Sequence, residues 1–587
     1  MGSGSQDAER DTAGGEIAPA AAVGRRRRRR PPAPSPPAST FPWSRPLPAF
    51  LAPITRPGRR GVVLSLALAI VAGLMQPFAA ADLDVWPLAW IALVPVLVVV
   101  THAPTRRRAM LYGWVAGLAA NLGGFYWLTG LLVRFGHLPW PVALLGLALL
   151  CGYQALVFWL FAAAVRRLRL VSAERRGAPL PMALVATLVM VTFELCVPFI
   201  FPWYLAITQA WVTPIIQIAE LGGPIAVTAL LAAVNGAIYD LLFASGWRGR
   251  WRPVLATALA LVASLLFGFV RLHQIDARRA AAPKVRVGVV QGNIPFDEKG
   301  LLRPELAADQ LRDLQRKSAE LEAQGAELLL WTESAYPYFV PRDATVDAPE
   351  IAVGRIRRGV SAPLVVGAVT WDGLEESYPR NSALMLAADG RFTGRYDKIF
   401  LLMFGEYTPL VENVHWLRDL MPRNAGHFAR GEDIVTFPFE HDGQAYRLGP
   451  MICYEDILPD FGRKLAALHP HLIVNITNDA WFGDTTEPWE HLQLSVFRAV
   501  EMRSDLVRAV NTGVSAFIDA SGRVYARTYA VDPHLTPRPV DGIVAEATLM
   551  EGGHTLYAAI GDLVWYLVAT VTGFLWLLWP RLRRRSG

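Results

Sequence analysis

Charged residues are few. Asp, Glu, Lys and Arg make up 18% of the 587 residues, against about 25% in an ordinary soluble domain. Cysteine is scarcer still, at three, which excludes a disulfide framework. Cys151 and Cys196 lie in apolar runs and read as small buried hydrophobes, whereas Cys453 lies in polar company. There is no GxGxxG, GxxxxGK or CxxC string, and no His-rich or Cys-rich cluster. Dinucleotide, P-loop and structural-zinc readings lose their signatures, so neither cofactor nor metal is expected. No internal repeat points to a solenoid. A basic surface is also missing, despite a net charge of +7. Residues 1–60 hold 11 Arg, no Lys and 4 acids, so the remaining 527 residues balance to zero. That distribution argues against nucleic acid as a partner.

What is abundant is apolar. Hydrophobic residues reach 53% and the mean hydropathy is +0.29. Measured against the ~20 residues needed to cross hydrocarbon, eight spans are expected, near 61–80, 86–101, 110–132, 137–165, 181–201, 214–244, 253–271 and 556–580. Basic clusters alternate with them: Arg25–Arg30 with Arg59 and Arg60, then Arg106–Arg108, then Arg166, Arg167, Arg169, Arg175 and Arg176, then Arg248, Arg250 and Arg252, and last Arg581 with Arg583–Arg585. The intervening loops carry at most Arg134. This alternation predicts a multi-pass plasma-membrane protein with both termini cytoplasmic and the segment 273–550 on the outer face. Residues 1–60 read as a disordered basic cytoplasmic tail, 61–272 as a seven-helix membrane domain, and 551–587 as a final span with a basic tail. Glu194, Glu220 and Asp240 lie in or near spans, where an acid is functional or paired.

The segment 273–550 alternates β-rich runs with helix-like ones. Strands are expected at 285–292, 327–332, 364–371, 381–388, 447–452, 471–477, 506–511, 514–520 and 543–549, with a helical run at 301–324. Such alternation argues for an α/β fold. Asp389-Gly390 is a hairpin signal ahead of Arg391–Tyr396, so some strands pair antiparallel, as in a sandwich of sheets covered by helices.

Three strings in this segment can carry chemistry. In LLLWTESAYP (328–337), Glu333 follows a fully apolar strand, and a desolvated carboxylate is a serviceable general base. In RYDKIFLLMFGEYTPL (395–410), Lys398 sits among apolar residues and can steady a developing oxyanion, with Glu406 eight residues on. In GPMICYEDILPD (449–460), Cys453 sits at a strand-to-turn junction, which presents a nucleophile, followed by Tyr454 and Glu455. Each signal alone has a commoner structural explanation: a helix-capping acid, a surface lysine, an inert cysteine.

Together, in the order Glu, Lys, Cys at the ends of β-rich runs, they resemble the nitrilase superfamily. With seven spans before and one after, and with QGNIP (291–295), FGEYTPL (404–410), CYE (453–455), NDAWFGD (478–484) and NTGVSAFID (511–519), the chain resembles the bacterial apolipoprotein N-acyltransferases. The resemblance implies a polytopic helical membrane protein carrying an extracytoplasmic αββα sandwich. It implies acyl transfer from a phospholipid, through a cysteine thioester, to the N-terminal amine of diacylglyceryl-modified apolipoproteins. Cys453 would be nucleophile, Glu333 general base and Lys398 oxyanion stabiliser, with Glu406 and Glu455 as supporting acids and Tyr454 shaping the pocket. Gly300 stands where the family often has Trp. Trp481 and Phe482 are candidates for substrate contact, 478–490 for a lid, and Phe125, Tyr126 and Trp127 for a lateral lipid entrance. The same triad would serve a membrane-tethered amidase or thioesterase that passes its acyl group to water. A lipid-binding scaffold or transporter would not need it.

Overall fold

Long apolar segments satisfy their own backbone groups by forming helices, and each of the eight does so in the computed structural model. The residues described are 45–176, 178–295, 298–299, 301–373, 378–403, 405–407, 428–528 and 540–578. The expectations for residues 1–44, Gly300 and the C-terminal arginines lie outside them. Four helices are long and apolar enough to cross a membrane: Arg59–Ala79, Trp140–Glu174, Ala219–Phe243 and Trp247–Ala281. A fifth is added if the pair Arg106–Gly124 and Leu128–Arg134, bent by 54°, is one span. Trp86–His102, Met182–Cys196 and Leu563–Leu577 are shorter apolar helices.

Several boundaries differ from expectation. The last helix before the sheets runs 35 residues to Ala281, past the end of its apolar stretch at 271. Its polar end packs on the sheet domain, where Arg279 pairs with Asp505 at 2.9 Å and Asp276 with Arg523 at 2.6 Å. On its apolar part, Leu255, Leu259, Val262, Leu266 and Phe269 are exposed, a large face that would be a liability in water. The expected span 181–201 stops being helical at Cys196, and Pro198 and Pro202 follow. Cys196 is exposed at this helix end, not buried as its apolar surroundings suggested, whereas Cys151 is buried. The acids within the apolar region are held by partners. Glu194 Oε1 accepts from Leu205 N at 2.6 Å, Asp240 lies 3.6 Å from Arg169, and Glu220 accepts from both Arg271 and Arg503.

The remaining chain folds into two sheets. The first contains β1 (Lys284–Gln291), β2 (Leu328–Trp331), β3 (Phe339–Pro341), β4 (Leu364–Trp371), β5 (Arg380–Leu386), β6 (Phe392–Asp397) and β13 (Asp541–Thr548), in the order β13-β1-β2-β4-β5-β6 with β3 on β4. The second contains β7 (Phe437–His441), β8 (Gln444–Ile452), β9 (Leu472–Thr477), β10 (Asp505–Val510), β11 (Ala516–Ile518) and β12 (Val524–Arg527), in the order β12-β11-β10-β9-β8-β7. The hairpin at Asp389-Gly390 forms, with β5 and β6 antiparallel. Alternate side chains sort between two cores, as the two-residue period of a strand dictates. Val287, Leu328 and Leu330 pack against Leu448, Val474 and Val507 between the sheets. Val290, Leu329 and Trp331 pack outward on Leu311, Leu314 and Leu321 of the helix Pro304–Ala323. Helices Pro459–Ala466 and Glu487–Met502 cover the second sheet through Phe461, Leu465, Leu492 and Val496.

Candidate active site

The central strands of both sheets are parallel, β1 with β2 and β4, and β8 with β9 and β10. Parallel strands deliver their C-terminal ends to one edge, the usual place for a site. Glu333 comes just after β2, Cys453 just after β8, Asp479 just after β9 and Asn511 just after β10. Lys398 immediately follows β6, fixed where its N–H donates to Asn381 O at 2.8 Å.

Close approach shapes the Glu333 turn. A Cβ on Gly367 would lie 2.0 Å from Thr332 O and 2.8 Å from the Glu333 Cα, so the facing position on β4 must be glycine. Ser334 and Cys453 both adopt positive φ, 49° and 51°, a region that disfavours side chains and is tolerated where surrounding structure enforces it.

Glu333, Lys398 and Glu406 form one buried cluster. Lys398 Nζ lies 3.1 Å from Glu333 Oε1 and 2.8 Å from Glu406 Oε2. Asn381 Nδ2 donates to both acids, at 2.7 Å each. Glu333 Oε2 is buried with no hydrogen-bond partner among the described residues. Burial pulls Lys398 down, but Glu333 and Glu406 outweigh it and hold the ammonium well above the ordinary lysine value. The Cys453 thiol is pushed well up, first by burial and then by the Glu333 charge, with Lys398 partly opposing. It is therefore a thiol at rest, and needs a base to become a nucleophile.

Glu455 braces the two loops that carry Lys398 and Cys453. Its Oε1 accepts from Tyr396 Oη at 2.6 Å, Ile399 N at 2.8 Å and Phe400 N at 3.1 Å, and its Oε2 from Ile452 N at 2.9 Å. Burial raises it to about 7. Tyr454 reaches the other way, donating to Ile200 O at 3.0 Å.

Cys453 opens onto a small, largely apolar cavity. One wall comes from the apolar helical region, with Phe125 and Trp127 at the bend before Leu128–Arg134, and Phe201 and Trp203 after Met182–Cys196; Tyr454, Phe482 and Leu494 face them. Phe482 packs edge-on to Trp127 at 5.0 Å, and Trp481 packs on Phe135 at 4.8 Å. The segment 478–490 is docked here, Arg134 Nη2 donating to Phe482 O at 2.9 Å, and its last residues already belong to the helix Glu487–Met502.

Sequence reasoning missed several participants. Asn381 bridges the two acids. Lys299 is buried and donates to Glu333 O at 2.9 Å; burial lowers it to about 8, against the opposing pull of Glu333 and Cys453. Behind the Cys453 turn, His491 contacts Asp456 at 2.8 Å and Asp479 at 3.0 Å, and Arg508 contacts the same two acids at 2.9 and 3.0 Å. Burial and Arg508 disfavour the imidazolium, but the two aspartates raise it to about 10. Asp479, Glu487 and His491 come close enough to suggest a metal site. Both ring nitrogens of His491 are already engaged by Asp456 and Asp479. Ordinary lone-residue statistics gave no signal for this network, although Asp456 and Asp479 both sit inside the quoted strings.

A two-sheet sandwich covered by helices is the fold of this segment, and residues 286–533 match the carbon-nitrogen hydrolase family. Residues 72–237 match the apolipoprotein N-acyltransferase N-terminal domain. The chain is 33% identical over 517 residues to the apolipoprotein N-acyltransferase of Geobacter metallireducens, covering 86% of this chain and 93% of that one. It is 29% identical over 545 residues to that of Pseudomonas paraeruginosa, covering 91% and 98%. Among solved structures, an amidase of the nitrilase superfamily from Nesterenkonia AN1 aligns at 21% identity and a TM-score of 0.32, covering 48% of this chain and 95% of its own. The chain belongs to the apolipoprotein N-acyltransferase family.

Proposed function

We propose that this protein transfers an acyl chain from a membrane phospholipid to Cys453, and from there to the N-terminal amine of the lipid-modified cysteine of apolipoproteins. One observation carries the reading. The buried Glu333–Lys398–Glu406 cluster acts electrostatically on the Cys453 thiol, and Cys453 lines an apolar cavity walled by the ends of the apolar helices. Both acyl carriers are lipids, and exposing one to water would cost about 0.8 kcal/mol per CH₂.

In the first half-reaction Glu333 Oε2, which has its lone pairs unengaged, takes the Cys453 proton as sulfur attacks the ester carbonyl. Lys398 neutralises the oxyanion. The lysophospholipid alkoxide leaves with the proton from Glu333, and a thioester remains. In the second, Glu333 takes a proton from the attacking amine and returns it to the departing Cys453 sulfur. Glu406 and Asn381 keep Lys398 and Glu333 in place, and Glu455 and Tyr454 tie the nucleophile turn to its neighbours. The docked segment 478–490, with Trp481 and Phe482, keeps water from the thioester. The apolar segments make eight spans, both termini cytoplasmic and the sheet domain outside, following the alternating arginines.

Intact-mass spectrometry after mixing with phospholipid tests this. An acyl-sized adduct on Cys453 that a diacylated lipopeptide then removes, giving N-acylated peptide, is expected. Free fatty acid without acylated peptide would assign hydrolysis instead.

A further inference from the structure

The cavity before Cys453 holds two carboxyl groups that this chemistry leaves unused. Glu487 and Glu490 both line it, three residues apart in the first turn of their helix and so on one face. Charge balance around them is incomplete. His491 and Arg508 are each paired with Asp456 and Asp479, two cations against two anions. Among the described residues, Glu487 has only the already shared His491 within ion-pair distance, and no ion pair reaches Glu490. Glu487 is 9% exposed, and its Oε2 has no hydrogen-bond partner among the described residues. Its Oε1 lies 3.8 Å from His491 Nδ1. Glu490 Oε2 accepts a long bond, 3.4 Å, from Trp127 Nε1. Burial raises Glu490 to about 8, and burial with the Asp479 charge raises Glu487 well above the ordinary carboxyl value, against a partial pull from His491 and Arg508. Two buried acids beside a nucleophile, lacking a cation of their own, favour a ligand that brings one.

We propose that Glu487 and Glu490 form a primary-ammonium subsite facing Cys453, filled by the α-ammonium of the incoming acceptor. The inference rests on the acyl-transfer reading above. An aminated lipid headgroup offers the same chemistry. Position favours the acceptor, whose nitrogen must come within about 3–3.5 Å of the acyl carbon on Cys453. The balance is complete. As the ammonium binds, one carboxyl of the pair ionises and its proton leaves to water; the ammonium then returns one proton to that carboxylate. The freed amine attacks the thioester, the C–N bond forms and the C–S bond breaks. The second proton passes through Glu333 to the Cys453 sulfur.

The test is binding to full-length protein carrying Cys453→Ala, so that it reads recognition whether or not a thioester forms. The probes are a diacylglyceryl-cysteinyl peptide with a free α-amine and its des-amino analogue. The free amine should bind at least tenfold more tightly. Glu487→Gln or Glu490→Gln should reduce that ratio below threefold while the des-amino affinity, which reports an intact cavity, stays unchanged. Equal affinities before substitution, or a ratio that survives both substitutions, would overturn the proposal. So would a preference confined to phosphatidylethanolamine over phosphatidylglycerol, which would give the subsite to the donor. Failure to find an acyl adduct on Cys453 in the unsubstituted protein would instead count against the thioester mechanism.

Discussion

Glu333→Gln should remove the base and little else. Oε1 holds the bonds to Asn381 at 2.7 Å and Lys398 at 3.1 Å, and the glutamine carbonyl can keep both. Oε2 has no partner to lose. The amide therefore fits the same cavity with the same neighbours, but cannot accept the thiol proton. General base catalysis is worth about 10²–10⁴-fold, or about 2.7–5.4 kcal/mol at 1.36 kcal/mol per decade. Rapid-quench mass spectrometry of the Cys453 adduct should show that loss, with the melting temperature in detergent unchanged. A second signature follows from the charge. Glu333 is the largest raising influence on the thiol after burial, so its neutralisation lowers the thiol value. The variant must then use whatever thiolate exists before attack, so its acylation rate should climb roughly tenfold per pH unit below that value. The parent protein, with an internal base, should climb less steeply. Acylation retained within tenfold, or lost together with the fold, would refute the assignment.

Other consequences are equally direct. Asn381→Ala should cost about 3 kcal/mol of stability, from two bonds to charged acceptors at about 1.5–3 kcal/mol each partly offset by solvent, and slow acylation at least tenfold. Asn381→Asp should be worse, because it adds a third acid to the cluster; thermal melts and the adduct assay read both. Lys299 sits at about 8 when folded and about 10.4 when unfolded, so between those values the unfolded chain binds the extra proton and stability rises with pH, by up to about 3 kcal/mol. Lys299→Met should flatten that rise in melts between pH 8 and 10, and an unchanged slope would contradict the buried-lysine reading. Glu220→Gln should destabilise the joint between apolar helices and sheets by about 3–5 kcal/mol, since Arg503, 2% exposed, loses its 2.9 Å partner; limited proteolysis near 503 should accelerate.

Periodicity made the interior legible. Nine strands were visible because their apolar alternation is imposed by burial on one or both faces, and a tenth, β6, from the hairpin signal before it. The three unseen, β3, β7 and β12, are three to five residues long and partly exposed, so no pattern is enforced on them. Helix ends were less legible, because hydropathy measures preference for lipid and not helicity. Trp247–Ala281 continues ten residues beyond its apolar part on ion pairs with Asp505 and Arg523, which only the fold brings near. Glu333, Lys398 and Cys453 were readable because each follows an apolar strand, where a polar residue is conspicuous. Asn381 was not, since asparagine at a strand start looks like a turn former and its two acids come from 48 residues upstream and 25 downstream. Lys299 resembled any loop lysine until burial was known.

The apolar wall and the protonated thiol have one cause. The helices break at Phe125–Trp127 and after Cys196, and those breaks turn aromatic side chains toward Cys453 where unbroken spans would have left them facing lipid. An acyl chain sliding from hydrocarbon onto that wall exchanges one apolar neighbour for another, so the transfer is nearly free of the cost that water would impose. The same low polarity disfavours a thiolate and pushes the Cys453 thiol up. A site dry enough for the acyl chain is therefore too dry for a resting thiolate, and nucleophile and base must act together. It also gives any charge in the cavity a large effect. Lys398 is held between two carboxylates, whose charges keep it ionised against burial. An ammonium arriving at Glu487 and Glu490 would meet two buried carboxyls that its charge helps to ionise. On the acyl-transfer reading, a cavity that disfavours charge in general would thus admit the one cation that the second half-reaction brings.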